Sequence, residues 1–538
     1  MTSGRRYHAL ALLLVAGCWR DPEAIGSQFA AALVADAASE GVVVACDDDD
    51  PCTTDAYGKQ GVCAHTPASG ANCSAKKPCM VAPVCVAGTC TGPDRFWAHD
   101  LALSALRDQV SALALLPDGD GVAVGTVEVS GPGLGKARHA FALRFGQDGL
   151  AADGKPPAPL WLMQDAAHHH DVAGLVALDQ HTLLAVGAHR ELLDQPAGAL
   201  PRSWAWFQRF SPTKGDLFND KLLVDGNHEW REVAAAADGT LLAVGQLDSM
   251  GLLTRFDAAG ARTWSHAMAP AGGPLQHGRF NDVQGLPGPT PRWLAVGHAA
   301  DAGGVARSGW AVALAGPGTA VTWEQTYAPP QQDGAALYNV QPLPNGEAML
   351  LGQLWDVPTG PGFGPSDSPW QSAGTAWLLR IAQSDGHLIA QRTIKLSGNP
   401  AGLAWQAGAK RLVTWQPGAN DATDGALVFV DALANVVGQL PVPSRSYLGL
   451  VARPDDALLL YGFGPDGGGN CALAQADPWG ATSCASSGGC ATTAAASCDD
   501  GNPCTFDTCA PPVGCSHTPL SAGSFCPTGV CQGAQCMP

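Results

Sequence analysis

Polar side chains that could bind or act on a ligand recur at intervals along the middle of the chain. Each lies at or near the start of a short apolar run, and the set comprises His170, Asp171, Glu229, Arg231, Asn281, Asp282 and Asn339. Such groups form hydrogen bonds and ion pairs with polar ligands, and carboxylates held in pairs can hydrolyse glycosides. Because these residues are far apart in sequence, only the fold can bring them into one site.

Three adjacent histidines, His168 to His170, precede Asp171 and raise the question of a transition-metal site. Neighbouring side chains on an extended chain point to opposite faces, so at most two of the three can aim at one ion. The pattern therefore favours a polar binding surface over a metal site. A solvated loop stays open as the other alternative.

Short motifs of the common hydrolases and nucleotide-binding enzymes are missing from the sequence. We find no G-x-S-x-G elbow, no H-E-x-x-H pair and no phosphate-cradling glycine loop. Carboxylates drawn from separate elements leave no local signature, so a hydrolase or lyase acting on polysaccharides stays open. A purely structural envelope component is a further alternative, and a binding or scaffolding protein is the function we expect.

The elements that must position these residues are seven copies of one unit. Its clearest copy, 229–268, holds four short runs rich in Val, Leu, Trp and Thr, separated by turn residues. A signature such as LLAVG recurs about every 47 to 63 residues, ending at Gly125, Gly187, Gly245, Gly297, Gly352, Trp415 and Gly462. This period predicts an all-β protein whose body is a seven-bladed β-propeller.

The segment 95–101, RFWAHDL, copies the fourth strand of the clearest unit, 262–266, whereas the seventh unit lacks a fourth strand of its own. We expect this segment to pair with the third strand of blade seven, 471–477, and so to close the ring. The polar residues above would then surround the mouth of the central channel. The body resembles bacterial propellers with D-x-x-G-x-x-x-W repeats, a pattern that 257–264 fits in full.

Cysteines cluster at both ends of the body, with none between Cys90 and Cys471. This distribution predicts disulfide-stapled modules rather than metal sites. The cysteines expected to form disulfides are Cys46, Cys52, Cys63, Cys73, Cys79, Cys85, Cys90, Cys471, Cys484, Cys490, Cys498, Cys504, Cys509, Cys515, Cys526, Cys531 and Cys536.

Both modules share C-D-D-x-x-P-C-T-x-D followed by C-x-H-T-P. This motif resembles the cysteine-rich repeats of slime-mould extracellular matrix proteins, which also occur in secreted myxobacterial lipoproteins and surface proteins. Tyr57 replaces the cysteine found at Cys509 in the second copy, and each module holds an odd number of cysteines. Cys490 would make the second module even, leaving Cys471 and Cys484 as a plausible pair, whereas the first module keeps an unpaired cysteine.

Oxygen-rich residues of the modules could bind calcium, although their spacing is not that of an EF-hand loop. Asp and Asn are also ordinary turn formers, which is the interpretation we favour, and no other cofactor is expected. The residues concerned are Asp47 to Asp50, Asp499, Asp500, Asn502 and Asp507.

The first eighteen residues predict export, because two arginines precede a short apolar run that is followed by L-V-A-G-C. This segment resembles the bacterial lipobox, which implies a lipid on Cys18 and an extracytoplasmic protein tethered to a membrane, possible sites being the outer membrane and the cell surface. The net charge of −18 lacks a basic stripe, which argues against nucleic acid and leaves an extracellular protein or glycan as the expected partner. The expected divisions are a signal peptide (1–18), a tether (19–45), a module (46–92), the propeller (95–484) and a second module (485–538).

Overall fold

The computed structural model shows an all-β protein with two compact units, Met1–Pro93 and Asp94–Pro538. No helix occurs among the residues it describes. These residues are 52–57, 63–71, 84–91, 96–104, 106–131, 135–151, 154–162, 168–191, 203–213, 217, 222–224, 228–271, 274–288, 290, 292–316, 320–329, 332–355, 375–395, 401–416, 425–441, 446–463, 470–476, 500, 502, 504–510, 514–519, 525–526, 529–532 and 534–537.

Seven antiparallel four-stranded sheets form the blades of a propeller, as the repeat predicts, and short hairpins form the modules. The strands are β1 (Thr53–Tyr57), β2 (Cys63–Pro67), β3 (Val84–Val86), β4 (Thr89–Thr91), β5 (Trp97–Leu101), β6 (Asp108–Leu115), β7 (Gly121–Gly131), β8 (Gly135–Phe145), β9 (Pro159–Leu162), β10 (His168–Asp179), β11 (Thr182–Glu191), β12 (Ser203–Phe210), β13 (Leu222–Val224), β14 (His228–Ala235), β15 (Leu241–Leu247), β16 (Met250–Phe256), β17 (Arg262–Met268), β18 (Leu275–Gly285), β19 (Arg292–Asp301), β20 (Ala306–Ala315), β21 (Ala320–Tyr327), β22 (Gly334–Pro342), β23 (Glu347–Trp355), β24 (Thr375–Ala382), β25 (Leu388–Lys395), β26 (Ala401–Gln406), β27 (Arg411–Gln416), β28 (Ala426–Asp431), β29 (Val436–Pro441), β30 (Ser446–Ala452), β31 (Leu458–Phe463), β32 (Cys471–Ala476), β33 (Thr505–Ala510), β34 (Gly514–Pro519), β35 (Phe525–Cys526), β36 (Gly529–Gln532) and β37 (Gln535–Met537).

The ring closes as the sequence predicts, because β5 is the outer strand of blade seven. It pairs antiparallel with β32, so that Trp97 lies opposite Gln475. The indole of Trp97 donates a hydrogen bond to the carbonyl of Gln147 in blade one at 2.9 Å. It also packs on the backbone of Gly149, whose φ of +76° forms the adjoining turn. Strand pairing and one tryptophan thus join the first and last blades.

In every blade, the residues that pair across the strands at the last position of the signature include a large aromatic side chain. We call this set of residues the aromatic rung. The strand that supplies the aromatic residue differs between blades. In blade two Gly187 pairs with Trp206 of the third strand, and in blade three Gly245 pairs with Trp230 of the inner strand. In blade six the second strand itself supplies Trp415, which lies against Gly425. The weak signature RLVTW of blade six is therefore the same rung with the aromatic residue moved. Burying such a side chain stabilises the fold by about 1.5 to 3 kcal/mol.

The two cysteine modules have the same construction. Disulfides join Cys52 to Cys85 and Cys504 to Cys531, which occupy equivalent positions in the two copies of the motif. In the strand register, Cys85 lies opposite Cys90 in the hairpin of β3 and β4, and Cys531 lies opposite Cys536 in the hairpin of β36 and β37. Cys63, Cys90 and Cys536 also form disulfides. Disulfides of this kind indicate an extracytoplasmic location.

The expected disulfide between Cys471 and Cys484 is wrong, because Cys471 is a free and buried cysteine. It starts β32 and packs in the core formed by blades seven and one, where burial raises the pKa of its thiol. Predicted features that lie outside the described residues are Cys18, Cys46, Asp47 to Asp50, Cys73, Cys79, Cys484, Cys490, Cys498 and Asp499.

Two of the candidate calcium ligands, Asp500 and Asn502, form turn hydrogen bonds. Asp500 accepts from the backbone N–H of Asn502 at 2.8 Å and from the hydroxyl of Thr505 at 2.9 Å. Asn502 in turn accepts from the backbone N–H of Cys504 at 3.0 Å. Such bonds are the turn chemistry that Asp and Asn commonly perform. Within the ranges given above, no helical segment has the length and apolar character needed to span a bilayer.

Candidate ligand-binding site

Each inner strand of the propeller contains a β-bulge directly after the residue that pairs with the last residue of the signature. The register of blade three moves from Trp230 paired with Gly245 to Glu232 paired with Val244, which leaves Arg231 as the extra residue. A bulge re-aims the side chain of the extra residue. The corresponding residues of blades one to seven all line one cavity, and they are Ser111, Ala173, Arg231, Asn281, Tyr338, Gly402 and Leu448.

In blades one to five, the signature glycine lies where the bulged inner strand approaches the second strand most closely, whereas blade six has its bulge with Trp415 at this position. A β-carbon on Gly245 would overlap the carbonyl oxygen of Glu229, and the glycines of blades one, two, four and five have the same relation to their inner strands. Only a residue without a side chain permits this approach. In these five blades the glycine of the signature therefore accommodates the bulge whose extra residue lines the channel.

We predict that Gly245→Ala destabilises the protein by about 1 to 3 kcal/mol, because the added methyl group must displace the inner strand. Gly303→Ala is the matched control, since a β-carbon added there would have only one neighbour within 4 Å, a side-chain oxygen of Asp301 at 3.3 Å. Urea denaturation of both variants measures the difference in free energy of unfolding. Equal losses in the two variants would show that the close approach at Gly245 is not a constraint.

The cavity at the channel mouth has a volume of about 390 Å³ and a largely polar wall. This is within the range of small-molecule sites. Its lining comes from all seven blades and consists of Arg107, Gln109, Ser111, Thr126, Glu128, Arg138, Asp171, Val172, Ala173, Ala188, Arg190, Glu229, Trp230, Arg231, Glu232, Arg279, Asn281, Tyr338, Asn339, Gly402, Leu448 and Tyr461.

The structure brings five of the seven predicted residues together in this cavity, namely Asp171, Glu229, Arg231, Asn281 and Asn339. Asp282 and His170 do not belong to the lining. The carboxylate of Asp282 turns into the wall, where it accepts from the backbone N–H groups of Val283 and Val340, both at 2.7 Å.

His170 points into blade two rather than into the channel. Its Nδ1 lies 3.2 Å from Nδ1 of His189, and its ring packs edge-on to Trp206. His169 instead accepts from the backbone N–H of Arg138 at 3.0 Å. The adjacent histidines thus alternate between faces, as an extended strand requires. In the portion of the chain that the structure describes, no three His, Cys, Asp or Glu side chains form a metal-binding cluster.

Glu229 is held between two arginines at the centre of the site. Its Oε1 accepts from Nε and Nη2 of Arg231 at 2.9 and 2.6 Å, and its Oε2 lies 3.4 Å from Nη2 of Arg190. Burial alone would raise the pKa of Glu229, but Arg231, Arg279 and Arg190 lower it below its ordinary value. This carboxylate therefore stays ionised and its geometry is fixed.

A second group of ion pairs lies beside it. Arg138 contacts Oδ1 of Asp171 at 3.3 Å and Oε1 of Glu128 at 4.0 Å. Arg190 reaches Oδ2 of Asp171 at 3.8 Å, and this links the group to Glu229. The three arginines come from different blades or strands, so the network ties blades one, two and three together at the mouth.

Two carboxyl groups in the cavity wall, those of Glu232 and Asp282, have raised pKa values, in contrast to Glu229. Burial and the proximity of Asp282 raise the pKa of Glu232 well above its ordinary value. Burial raises the pKa of Asp282 to about 7 despite its backbone hydrogen bonds. Both residues immediately follow a bulge, one in blade three and one in blade four. Neutral carboxyl groups, unlike Glu229, can donate hydrogen bonds.

These shifts predict that stability falls as pH rises. A carboxyl whose folded pKa is raised binds its proton more tightly in the folded state, so stability is lost between about pH 4 and pH 8. We expect Glu232→Gln, which keeps an acceptor for the backbone N–H of Val233, to be more stable than the wild type by about 1 to 3 kcal/mol at pH 8 and similar at pH 4.

Urea denaturation at the two pH values checks this. Asp333→Asn, at an exposed carboxylate outside the cavity, is the control and should follow the wild-type pH dependence. If Glu232→Gln also followed the wild type at both pH values, Glu232 would not be the proton-binding group.

Sequence reasoning missed much of the lining, above all four of its five arginines. Arg138 and Arg190 lie near the ends of long strands that reach beyond the blade, and Arg107 precedes the first inner strand. Arg279 and Tyr338, by contrast, carry a signal. Each is next to the residue that pairs with a signature glycine, so strand alternation could have identified both.

Comparison with known proteins supports the repeat in the two modules. The family model described as the Dictyostelium (slime mold) repeat matches residues 45–68 and 497–520. Both modules are therefore similar to that repeat, as the cysteine motif predicts. No curated protein matches the chain.

Two solved structures show a distant resemblance to the chain. Hydrazine synthase of Kuenenia stuttgartiensis is 11% identical with a TM-score of 0.43, and the match covers 67% of this chain and 93% of the other. The periplasmic gluconolactonase of Pseudomonas aeruginosa is 16% identical with a TM-score of 0.39, and the match covers 64% and 94%. Similarity at this level carries no information on activity.

Proposed function

We propose that the chain is a binding protein of the cell envelope whose propeller receives a small ligand, or one end of a larger one, at the channel mouth. The observation that carries the proposal is the cavity of about 390 Å³ into which every blade directs its bulge residue. Ion pairs with fixed geometry line it, and such preorganised groups suit binding. The ligand would be an extracellular glycan or a segment of a protein.

Tyr338 provides the sharpest test of the site. Its side chain lines the cavity, its hydroxyl makes no hydrogen bond to a described residue, and burial raises its pKa to about 12, so it remains a donor. Tyr338→Phe should therefore leave the fold unchanged and weaken ligand binding by about three- to tenfold. The measurement is retention of the full chain on immobilised envelope and extracellular glycans, with simultaneous analysis of released products.

Tyr327→Phe is the matched control. Tyr327 lies on β21, the fourth strand of blade four, away from the cavity, and its hydroxyl donates a hydrogen bond to the carbonyl of Gly386 at 2.7 Å. This variant should lose stability and keep its affinity. If the two variants bind every retained glycan as well as the wild type does, the channel mouth is not the binding site.

A polysaccharide hydrolase or lyase is the second candidate, and one observation favours it. Neighbouring blade-three carboxyls have pKa values displaced in opposite directions, lowered for Glu229 and raised for Glu232. Such divergence is typical of an acid and base pair. However, Glu229 is occupied by Arg231 and Arg190, which leaves it poorly placed to accept a proton. Oligosaccharide release in the retention experiment would decide for the enzyme.

We further propose that a lipid on Cys18 anchors the protein to a bacterial membrane, on the basis of the lipobox-like sequence. Cys18→Ser should shift the protein from the membrane fraction to the soluble fraction and abolish incorporation of labelled fatty acid. Tyr57→Phe, outside the segment, is the control. Membrane retention of unlabelled Cys18→Ser would contradict lipid anchoring.

A further inference from the structure

The charges that line the cavity do not balance. Five arginines face it, and three of them, Arg138, Arg190 and Arg231, contact the carboxylates of Glu128, Asp171 and Glu229. Glu232, the remaining carboxyl, binds its proton tightly. Arg107 and Arg279 have no carboxylate within 4.0 Å in the parts of the chain that the structure describes. A protein with a net charge of −18 thus concentrates positive charge at the mouth of its channel.

Arg279 has unused hydrogen-bonding capacity. Its Nε donates to Oδ1 of Asn281 at 3.1 Å, but its two terminal nitrogens make no hydrogen bond to any residue that the structure describes. Burial and the neighbouring Arg231 lower its pKa to about 10. Arg279 is half-buried in the wall of the cavity, and a bound anion would accept charge-assisted hydrogen bonds from its terminal nitrogens.

Neutral hydrogen-bonding groups surround this cation. Tyr338 lies close enough to influence Arg279, and Asn281 bridges Arg279 to the carbonyl of Leu337 in blade five with Nδ2 at 2.7 Å. Gln109 and Ser111 line the cavity from blade one. Amides and hydroxyls of this kind can donate to and accept from the hydroxyls of a sugar ring.

We propose that the cavity binds an anionic saccharide, with Arg279 contacting the acidic group, Arg231 adding positive charge beside it and the neutral side chains bonding the ring hydroxyls. This inference rests on the proposed binding function and specifies its ligand class. A carboxylate of a sugar acid and a sulfate ester share the necessary chemistry, since a guanidinium can donate two parallel hydrogen bonds to either.

Calorimetric titration of the full chain tests the inference with three probes of similar size. These are an oligogalacturonate, its methyl ester, which has no charge, and a sulfated oligosaccharide. We expect at least one acidic probe to bind and the ester to bind at least about tenfold more weakly. The acidic probe that binds more tightly identifies whether a carboxylate or a sulfate is the natural group.

Arg279→Gln should weaken binding of the acidic probe by about ten- to a hundredfold. Arg262→Gln is the matched control, because Arg262 is exposed on the outer strand of blade three and makes no ion pair with a described residue. Its affinity should equal that of the wild type. Arg279→Lys keeps the charge without the planar fork and should give an intermediate affinity.

The unliganded variants separate binding from structure. Because Arg279 lies beside a second cation, Arg231, the thermal midpoint of Arg279→Gln should equal or exceed that of the wild type. If Arg279→Gln failed to fold, the Arg279→Lys titration would decide in its place. Binding of both acids at wild-type affinity by that variant would then overturn the inference.

The anion inference and the binding function can fail separately. If the ester binds as tightly as the acid, or if neither acid binds, the anion inference is wrong. The binding function still stands in that case if Tyr338→Phe weakens retention of any glycan.

Discussion

The close approach of an inner-strand carbonyl to a second-strand glycine is the constraint on which this propeller depends. In blades one to five, a β-carbon at the glycine would overlap the backbone oxygen of the inner strand. The approach accommodates the bulge, and the bulge turns one extra residue of each inner strand toward the channel. The same glycine leaves room that a large aromatic side chain fills. In these five blades, one backbone irregularity therefore contributes to both the packing of the blade and the lining of the site.

The charged groups at the channel mouth reduce the stability of the folded protein, and contacts elsewhere in the ring compensate for this. Burial of Arg279 beside Arg231, and of Glu232 beside Asp282, places like charges or neutralised acids where water is scarce. Such arrangements reduce stability and persist where a site needs them. Stability comes instead from the aromatic rungs and from the closing strand β5, whose Trp97 bonds to blade one. The ion pairs of Glu229 and Asp171 then hold the arginines in place without a ligand.

The architecture could be predicted because it repeats. Seven signatures, each followed by an apolar third strand, leave few alternatives to a ring, and RFWAHDL can be matched to the missing strand by its similarity to 262–266. Cys471 could not be assigned in the same way. Its position near the end of the body suggested a disulfide, but the side chain starts β32 in the core between blades seven and one. Cysteine spacing carries no information on which face of a strand a thiol occupies.

The site was predicted in part for a related reason. The sequence indicates where inner strands begin, but not their register, and one residue of error moves a side chain to the opposite face. The prediction for His170 failed for this reason, because the adjacent Asp171 faces the channel and His170 therefore points to the opposite face. In blades one to four the register supplies a simple rule, in which the residue paired with the signature glycine is buried and its two neighbours line the cavity. Applied to Phe280, the rule gives Arg279 and Asn281, and applied to Trp230 it gives Glu229 and Arg231. Arginines on the long strands β8 and β11 escape the rule, since their positions depend on how far each hairpin extends past its blade.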